Sequence, residues 1–180
     1  MRCVYIAGPD LFYRASWSSH VAHVADLCAA HDITPCFPIA GEPASGAGVT
    51  EPGTPDDAAA IYRSCMDLIR SCDGVIANVN PFRGFEPDSG TVFEIATARS
   101  VGLPVVGYRA PQAPRRGAFS PRPDGSFVYA DGSFCEQFGF PGHLNVMVAM
   151  SLDVIESNVE GAVREMARYF RALTRSTATV

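Results

Sequence analysis

The sequence predicts an α/β fold in one domain, a parallel sheet with helices on both faces. Three observations carry this. Short apolar runs alternate with segments of helical periodicity across short connections, the pattern of a sheet covered by crossover helices. Residues 74–79 (GVIANV) are apolar nearly throughout, as a parallel strand covered on both faces must be. The 180 residues show no internal repeat and no dividing linker, and a chain of this size hides about 70% of its unfolded surface in one core. The layering expected is flavodoxin- or Rossmann-like, with residues 1–180 as a single domain.

Each element has its own signal. Residues 3–7 form a β-branched and aromatic run that stops at Gly8-Pro9, a strand followed by a loop. Ser16 is the expected N-cap of a helix reaching about His31, with Val21, Val24, Ala25 and Cys28 on one face. Residues 34–37 read as a second strand, and 38–55, rich in Gly, Pro, Ala and Ser, as an irregular loop. Asp56 or Asp57 opens a helix carrying Ile61, Cys65, Leu68 and Ile69 at helical spacing. Residues 74–79 are the third strand. A charged loop then leads to a helix over 91–101, ended by Gly102-Leu103-Pro104, and 105–108 are the fourth strand.

Residues 109–137 read as an insertion, irregular at first. It ends in a hairpin whose strands, 127–129 and 134–137, flank Asp131-Gly132. A short helix is expected near 145–152, and Ser157-x-x-Glu160 is a capping box opening the last helix.

Composition narrows the function. A net charge of −5 argues against a general affinity for nucleic acid or an anionic membrane. All fourteen basic residues are arginines, so Schiff-base chemistry and a Walker-type phosphate lysine are excluded. Six cysteines without a C-x-x-C pair read as reduced, mostly buried thiols. The opening apolar run is too short for a signal peptide or a membrane span, and a cytoplasmic location is expected.

Chemistry is expected between Asn80 and Glu94, where three carboxylates (Glu86, Asp88, Glu94), Arg83, Gly84 and Gly90 follow a buried strand. Open α/β sheets place their sites at the carboxyl ends of strands. Thr91-x-x-Glu94 matches a capping box, so Glu94 can be read as a mere helix cap. The same helix end would keep it ionised, as a carboxylate nucleophile requires. Paired carboxylates suit cleavage at an anomeric carbon, although a Glu-Pro-Asp loop is as often simply solvated. His20-x-x-His23 lacks a visible third metal ligand, and the glycines at 41, 46 and 48 form no phosphate loop. Arg115, Arg116 and Arg122 fit a solvated loop better than a phosphate site.

Three motifs together make the chain resemble the nucleoside 2-deoxyribosyltransferase family. They are Val4-Tyr5-Ile6-Ala7-Gly8-Pro9 with Phe12; Pro81-Phe82-Arg83-Gly84 through Glu86 to Glu94; and Phe138-Gly139-Phe140-Pro141 with Asn145-Val146-Met147. The resemblance implies that Glu94 displaces the base from C1′ of a 2′-deoxynucleoside. The covalent deoxyribosyl-enzyme is then attacked by a second base with net retention, without metal or organic cofactor. It implies that Tyr5 orients Glu94, that Asp88 contacts sugar hydroxyls, and that Gly8, Phe12, Asn78, Phe82, Arg83, Gly90 and Met147 line the substrate. Asn145 would complete a neighbouring subunit's site, which implies a homo-oligomer. The implied partners are a deoxynucleoside and a free nucleobase, in nucleoside salvage.

The chain departs from the family where a base-contacting Asp or Asn is usual, since Cys65 stands there with Asp67 two residues on. The group that protonates the leaving base is therefore left open. The Phe-Arg-Gly loop resembles the purine-preferring branch. The nearest alternative keeps the nucleophile but passes the sugar to water, as a nucleoside or nucleotide N-glycoside hydrolase. A nucleotide-sensing module without turnover is a further alternative, but Glu94 and Tyr5 are both present.

Overall fold

The computed structural model describes residues 1–38, 54–113, 119–130, 132–133 and 144–177. Five parallel strands form one sheet in the order β2-β1-β3-β4-β7. They are β1 (Arg2–Ala7), β2 (Ile33–Cys36), β3 (Gly74–Asn78), β4 (Val105–Tyr108) and β7 (Val154–Glu156). Helices α1 (Arg14–Ala29) and α5 (Val159–Thr177) cover one face, while α2 (Pro55–Ser71), α3 (Ser89–Ser100) and α4 (Val146–Met150) cover the other. The expected α/β layering is therefore what the chain adopts.

Strand periodicity sorts the core. Val4, Ile6, Ile76 and Val106 point towards α1 and α5, where Val24, Cys28, Val163 and Met166 meet them. Tyr5, Ala7, Val75, Ala77 and Val105 point towards α2, α3 and α4, against Met66, Ile69, Ile95, Ala98 and Val148. Full burial of Ile69 contributes about 1.5–3 kcal/mol. Gly74 lets α5 pack closely, because a Cβ there would stand 2.9 Å from the Met166 sulfur.

Several local expectations differ from the structure. Helix α1 starts at Arg14 behind Tyr13 rather than at Ser16, whose hydroxyl instead donates to the Tyr13 carbonyl. Thr54 caps α2 in a reciprocal box with Asp57. At the last helix Asn158 takes the capping role expected of Ser157, accepting from the Gly161 amide at 2.8 Å. Strands β5 (Phe119–Pro121) and β6 (Phe127–Tyr129) pair antiparallel, a hairpin absent from the sequence reading, and the Tyr129 amide donates to the Ser133 carbonyl at 2.9 Å where the expected hairpin would turn. Residues 134–137 lie outside the described residues. Strand β7 has no counterpart in the sequence reading. It is three half-buried residues at the sheet edge, too short for an alternating pattern, and its register with Val106, Gly107 and Tyr108 assigns it. No described helix is long and apolar enough to cross a membrane.

Candidate active site

The chain steps from β1 outward to β2, then returns to β3 on the other side of β1. That reversal opens a crevice at the carboxyl ends of β1 and β3, where doubly wound sheets bind ligands. The loop after β1 contains a single 3-10 turn, Pro9–Phe12, and the loop after β3 carries Asn80 to Pro87. Tyr5, fully buried, projects from β1 towards the helix that carries Glu94.

The central contact is a hydrogen bond of 2.5 Å from the Tyr5 hydroxyl to Glu94 Oε1. Burial drives the Glu94 pKa up from 4.5 to about 7; the Tyr5 hydrogen bond opposes the rise and the nearby Asp88 charge adds to it. Burial, and then the Glu94 charge, push the Tyr5 hydroxyl far above its ordinary range, so it stays a proton donor. This corrects the expectation for Glu94 on two counts. Thr91-x-x-Glu94 is no capping box, because the N-cap is Asp88, whose Oδ2 accepts from the Thr91 amide at 2.9 Å and its hydroxyl at 3.2 Å. Glu94 therefore sits in the second turn, beyond the helix end, and desolvation outweighs any favourable end effect.

Around this pair the structure groups the expected residues in three sets. Gly8 lies against Asn78, where a Cβ would approach Asp10 Oδ2 to 2.6 Å and Asn78 Cβ to 2.8 Å. The Asn78 amide nitrogen donates to Asp10 at 2.8 Å, while its oxygen accepts from the Asn80 amides, backbone at 3.0 Å and side chain at 2.7 Å. Asn78 thus ties the two loops together on the side of the sheet opposite Tyr5.

Phe12 stacks on Phe82 at 5.3 Å, and the Arg83 guanidinium lies over both rings, 4.7 Å from Phe82 and 5.6 Å from Phe12. Arg83 holds a left-handed φ of 53°, and the Phe82 amide donates to the Glu86 carbonyl at 3.0 Å, which folds this loop into a tight turn. Half-exposed, Phe12 and Tyr13 leave an aromatic shelf at the crevice.

Asn145 and Met147 form the third set, separate from the other two. Asn145 caps α4 through the Met147 amide at 2.9 Å, the structural role open to it from sequence. Together with Glu86, Ser89 and Val92 they line a cleft of about 550 Å³ along α3, and neither Tyr5 nor Glu94 lines it. Residues 138–141 of the third motif lie outside the described residues, as do Arg115, Arg116 and the glycines at 41, 46 and 48. Arg122 belongs to the hairpin turn, where its amide meets the Ser126 carbonyl. A larger groove of about 830 Å³, lined by Arg2, His31, Asp73, Phe170 and Arg175 among others, opens at the amino ends of the strands, away from this chemistry.

Sequence reasoning did not include some of the residues at the site. Asp10, after Gly8-Pro9, reaches Asn78, and its position at a strand end was the available signal. Buried Arg109 donates to the Val79 carbonyl at 3.0 Å, bracing β3 as it enters the loop. Cys65 of α2 packs against the core cluster that contains Tyr5, and burial raises its thiol pKa, with the nearby Glu94 charge adding to the rise. His23 pairs with Glu160 at 2.9 Å, and among the described residues no group of three His, Cys, Asp or Glu is arranged to hold a metal ion.

A carboxylate gripped by a buried tyrosine thus lies at the switch point of a parallel sheet, beside an aromatic shelf, where folds of this class place their ligand sites. The sequence profile described as "Nucleoside 2-deoxyribosyltransferase" matches residues 4–147. The chain belongs to that family and is an enzyme of the deoxyribosyltransferase type. It is similar to the 2-desoxiribosyltransferase from Leishmania mexicana, with 28% identity, a TM-score of 0.67, and coverage of 93% of this chain and 98% of that one. It shares its fold with the 2-deoxyribosyltransferase of Bacillus psychrosaccharolyticus, at 16% identity and a TM-score of 0.54 over 87% of each chain. No curated protein sequence matches.

Proposed function

We propose that this enzyme moves a 2-deoxyribosyl group between nucleobases by double displacement through a covalent deoxyribosyl-Glu94 intermediate, serving nucleoside salvage. The observation that carries this is the Tyr5–Glu94 hydrogen bond in a buried setting. Tyr5 occupies Oε1 and so orients Oε2 for attack at C1′ as the base departs. The carboxylate must be ionised to attack, and a pKa of about 7 means that roughly half the enzyme is poised at neutral pH. The acceptor base then attacks C1′ from the face the first base left, so configuration is retained. Catalysis uses Glu94, Tyr5 and Asp88, with the sugar hydroxyls assigned to Asp88 at the mouth of α3.

Gly8, Phe12, Phe82, Arg83 and Gly90 belong to the substrate surface, and the Phe12–Phe82–Arg83 shelf suits the broad π-face of a purine. Asn78 serves it indirectly, by holding the two loops. The exposed Met147 and Met150, with the cleft beside Asn145, suit a homo-oligomer in which Asn145 completes a neighbouring site. Met147→Asp should then lower the mass measured by light scattering, and an unchanged mass would remove that surface from consideration. Free thiols at Cys3, Cys28, Cys36, Cys65 and Cys72 fit a reducing, cytoplasmic setting.

The deciding assay incubates a purine deoxynucleoside with and without a second free base. Product that requires the acceptor supports transfer, whereas equal sugar release without it points to hydrolysis. Glu94→Ala should fold and lose at least ~10³-fold in rate. A 2-fluoro-2-deoxy analogue should add its sugar mass to the peptide containing Glu94, and a label elsewhere overturns the nucleophile assignment.

A further inference from the structure

We propose that Asn80 is a positioning residue for the base, which together with Asp10 sets the spacing of the Phe12–Phe82 shelf through a hydrogen-bond chain between their loops. This rests on the reading of the shelf as the surface where the base stacks. Asp10 stands two residues before Phe12, and Asn80 two residues before Phe82. The buried Asn78 amide joins them. It donates to Asp10 Oδ2 at 2.8 Å and accepts from the Asn80 side-chain amide at 2.7 Å. Each end of the chain is thus one short step from a ring, and the two rings stack 5.3 Å apart.

Counting donors and acceptors shows why Asn80 has to be an amide. A carboxylate only accepts, so Asp10 turns the Asn78 nitrogen towards itself and leaves the Asn78 oxygen facing Asn80. Both lone pairs of that oxygen are taken, by the Asn80 backbone amide at 3.0 Å and its side-chain amide at 2.7 Å. The Asn80 side-chain oxygen meanwhile accepts from the Ala110 amide at 2.9 Å. One side chain therefore donates and accepts at once, which a carboxylate of the same length cannot do. The bond to Ala110 ties the loop after β4 to the same point, where buried Arg109 also donates to the Val79 carbonyl. Pro81 follows, and its fixed φ carries the placement of Asn80 on to Phe82. None of these bonds involves Tyr5 or Glu94, and the charged and hydrogen-bonding groups that shift Glu94 are Tyr5 and Asp88. Asn80 should therefore act on binding of the base and not on the chemical step.

The test compares kcat and KM for exchange between a purine deoxynucleoside and adenine in the full chain, in Asn80→Ala, Asn80→Asp and Phe82→Ala, and in the Asn80→Ala/Phe82→Ala double variant. Asn80→Ala should raise KM about fivefold, the scale of one net hydrogen bond, and hold kcat within about twofold. Asn80→Asp keeps the acceptor for Ala110 but sets oxygen against the Asn78 oxygen, and should raise KM at least as far. In the Phe82→Ala background Asn80→Ala should add nothing, because the ring it places is gone. If the alanine variant does not fold, the near-isosteric aspartate carries the same comparison. An unmoved KM in a folded variant overturns the proposal, as does a loss confined to kcat or an equal KM rise in the Phe82→Ala background. A wild-type chain that exchanges no base refutes the proposed function instead. Adenine affinity measured by calorimetry then tests the shelf alone, and an affinity that is absent, or equal in the wild type and Asn80→Ala, overturns the role of Asn80.

Discussion

Replacing Glu94 by Gln should abolish exchange yet make the protein more stable at alkaline pH. Burial raises the Glu94 pKa from 4.5 to about 7, so the folded state holds its proton more tightly than the unfolded chain does. Below pH 4.5 both states are protonated and the group is neutral in the balance. As pH rises towards 7 the unfolded chain releases its proton first, and stability falls; above 7 the loss is complete. At about 1.4 kcal/mol per pH unit, the rise from 4.5 to about 7 corresponds to about 3 kcal/mol at most. The amide of the Glu94→Gln variant keeps an oxygen for the Tyr5 hydroxyl and removes the buried charge, so the variant avoids this cost. For a domain of this size that is a rise in Tm of at most about 6–12 °C at pH 8. Thermal unfolding at pH 8 and pH 5 measures it, and the gain should shrink towards zero at the lower pH. An equal gain at both pH values, or destabilisation at pH 8, would refute the picture of a desolvated, ionised Glu94.

Other variants probe the surroundings of this pair. Tyr5→Phe should shift the acid limb of kcat/KM up by about one pH unit, a loss of about tenfold at pH 6, because a charge-assisted donor is gone; rate profiles between pH 5 and 9 decide it. Asp88→Ala should cost about 1 kcal/mol of stability by uncapping α3, seen as a Tm lower by about 2–4 °C. Asp88→Asn should hold the Tm within about 2 °C and still lower kcat/KM, which separates the cap from the sugar contact. Gly8→Ala should destabilise by about 1–3 kcal/mol in urea unfolding, since the added Cβ stands 2.8 Å from Asn78 Cβ and one loop must move.

The layering was legible because it follows from local pattern. Val75, Ile76 and Ala77 are apolar in succession and fully buried, and Ile61, Cys65, Leu68 and Ile69 recur at the helical period on α2. Strand β7 was not legible, since Val154–Glu156 is stabilised by pairing with β4 across the intervening residues 109–153 rather than by its own sequence. Ser157 and Asn158 are equally good caps by type, and only the backbone path into α5 selects Asn158.

The site divides in the same way. By itself the sequence singled out Glu94, Asp88 and Tyr5, through residue types and motif order. It put both Asp88 and Glu94 after a buried strand and at the opening of a helix, and the structure has Asp88 as the N-cap of α3 and Glu94 in its second turn. The tertiary structure alone decided what state they are in. Helix α2 and strand β1, distant along the chain, close over Glu94, and that desolvation raises its pKa where a helix end would have lowered it. The same assembly turns Asp88 into the cap, sends Asn78 to brace two loops, and packs Cys65 against the core cluster that holds Tyr5. A residue's chemical type is local, but its solvation and partners belong to segments that meet only when the sheet is complete.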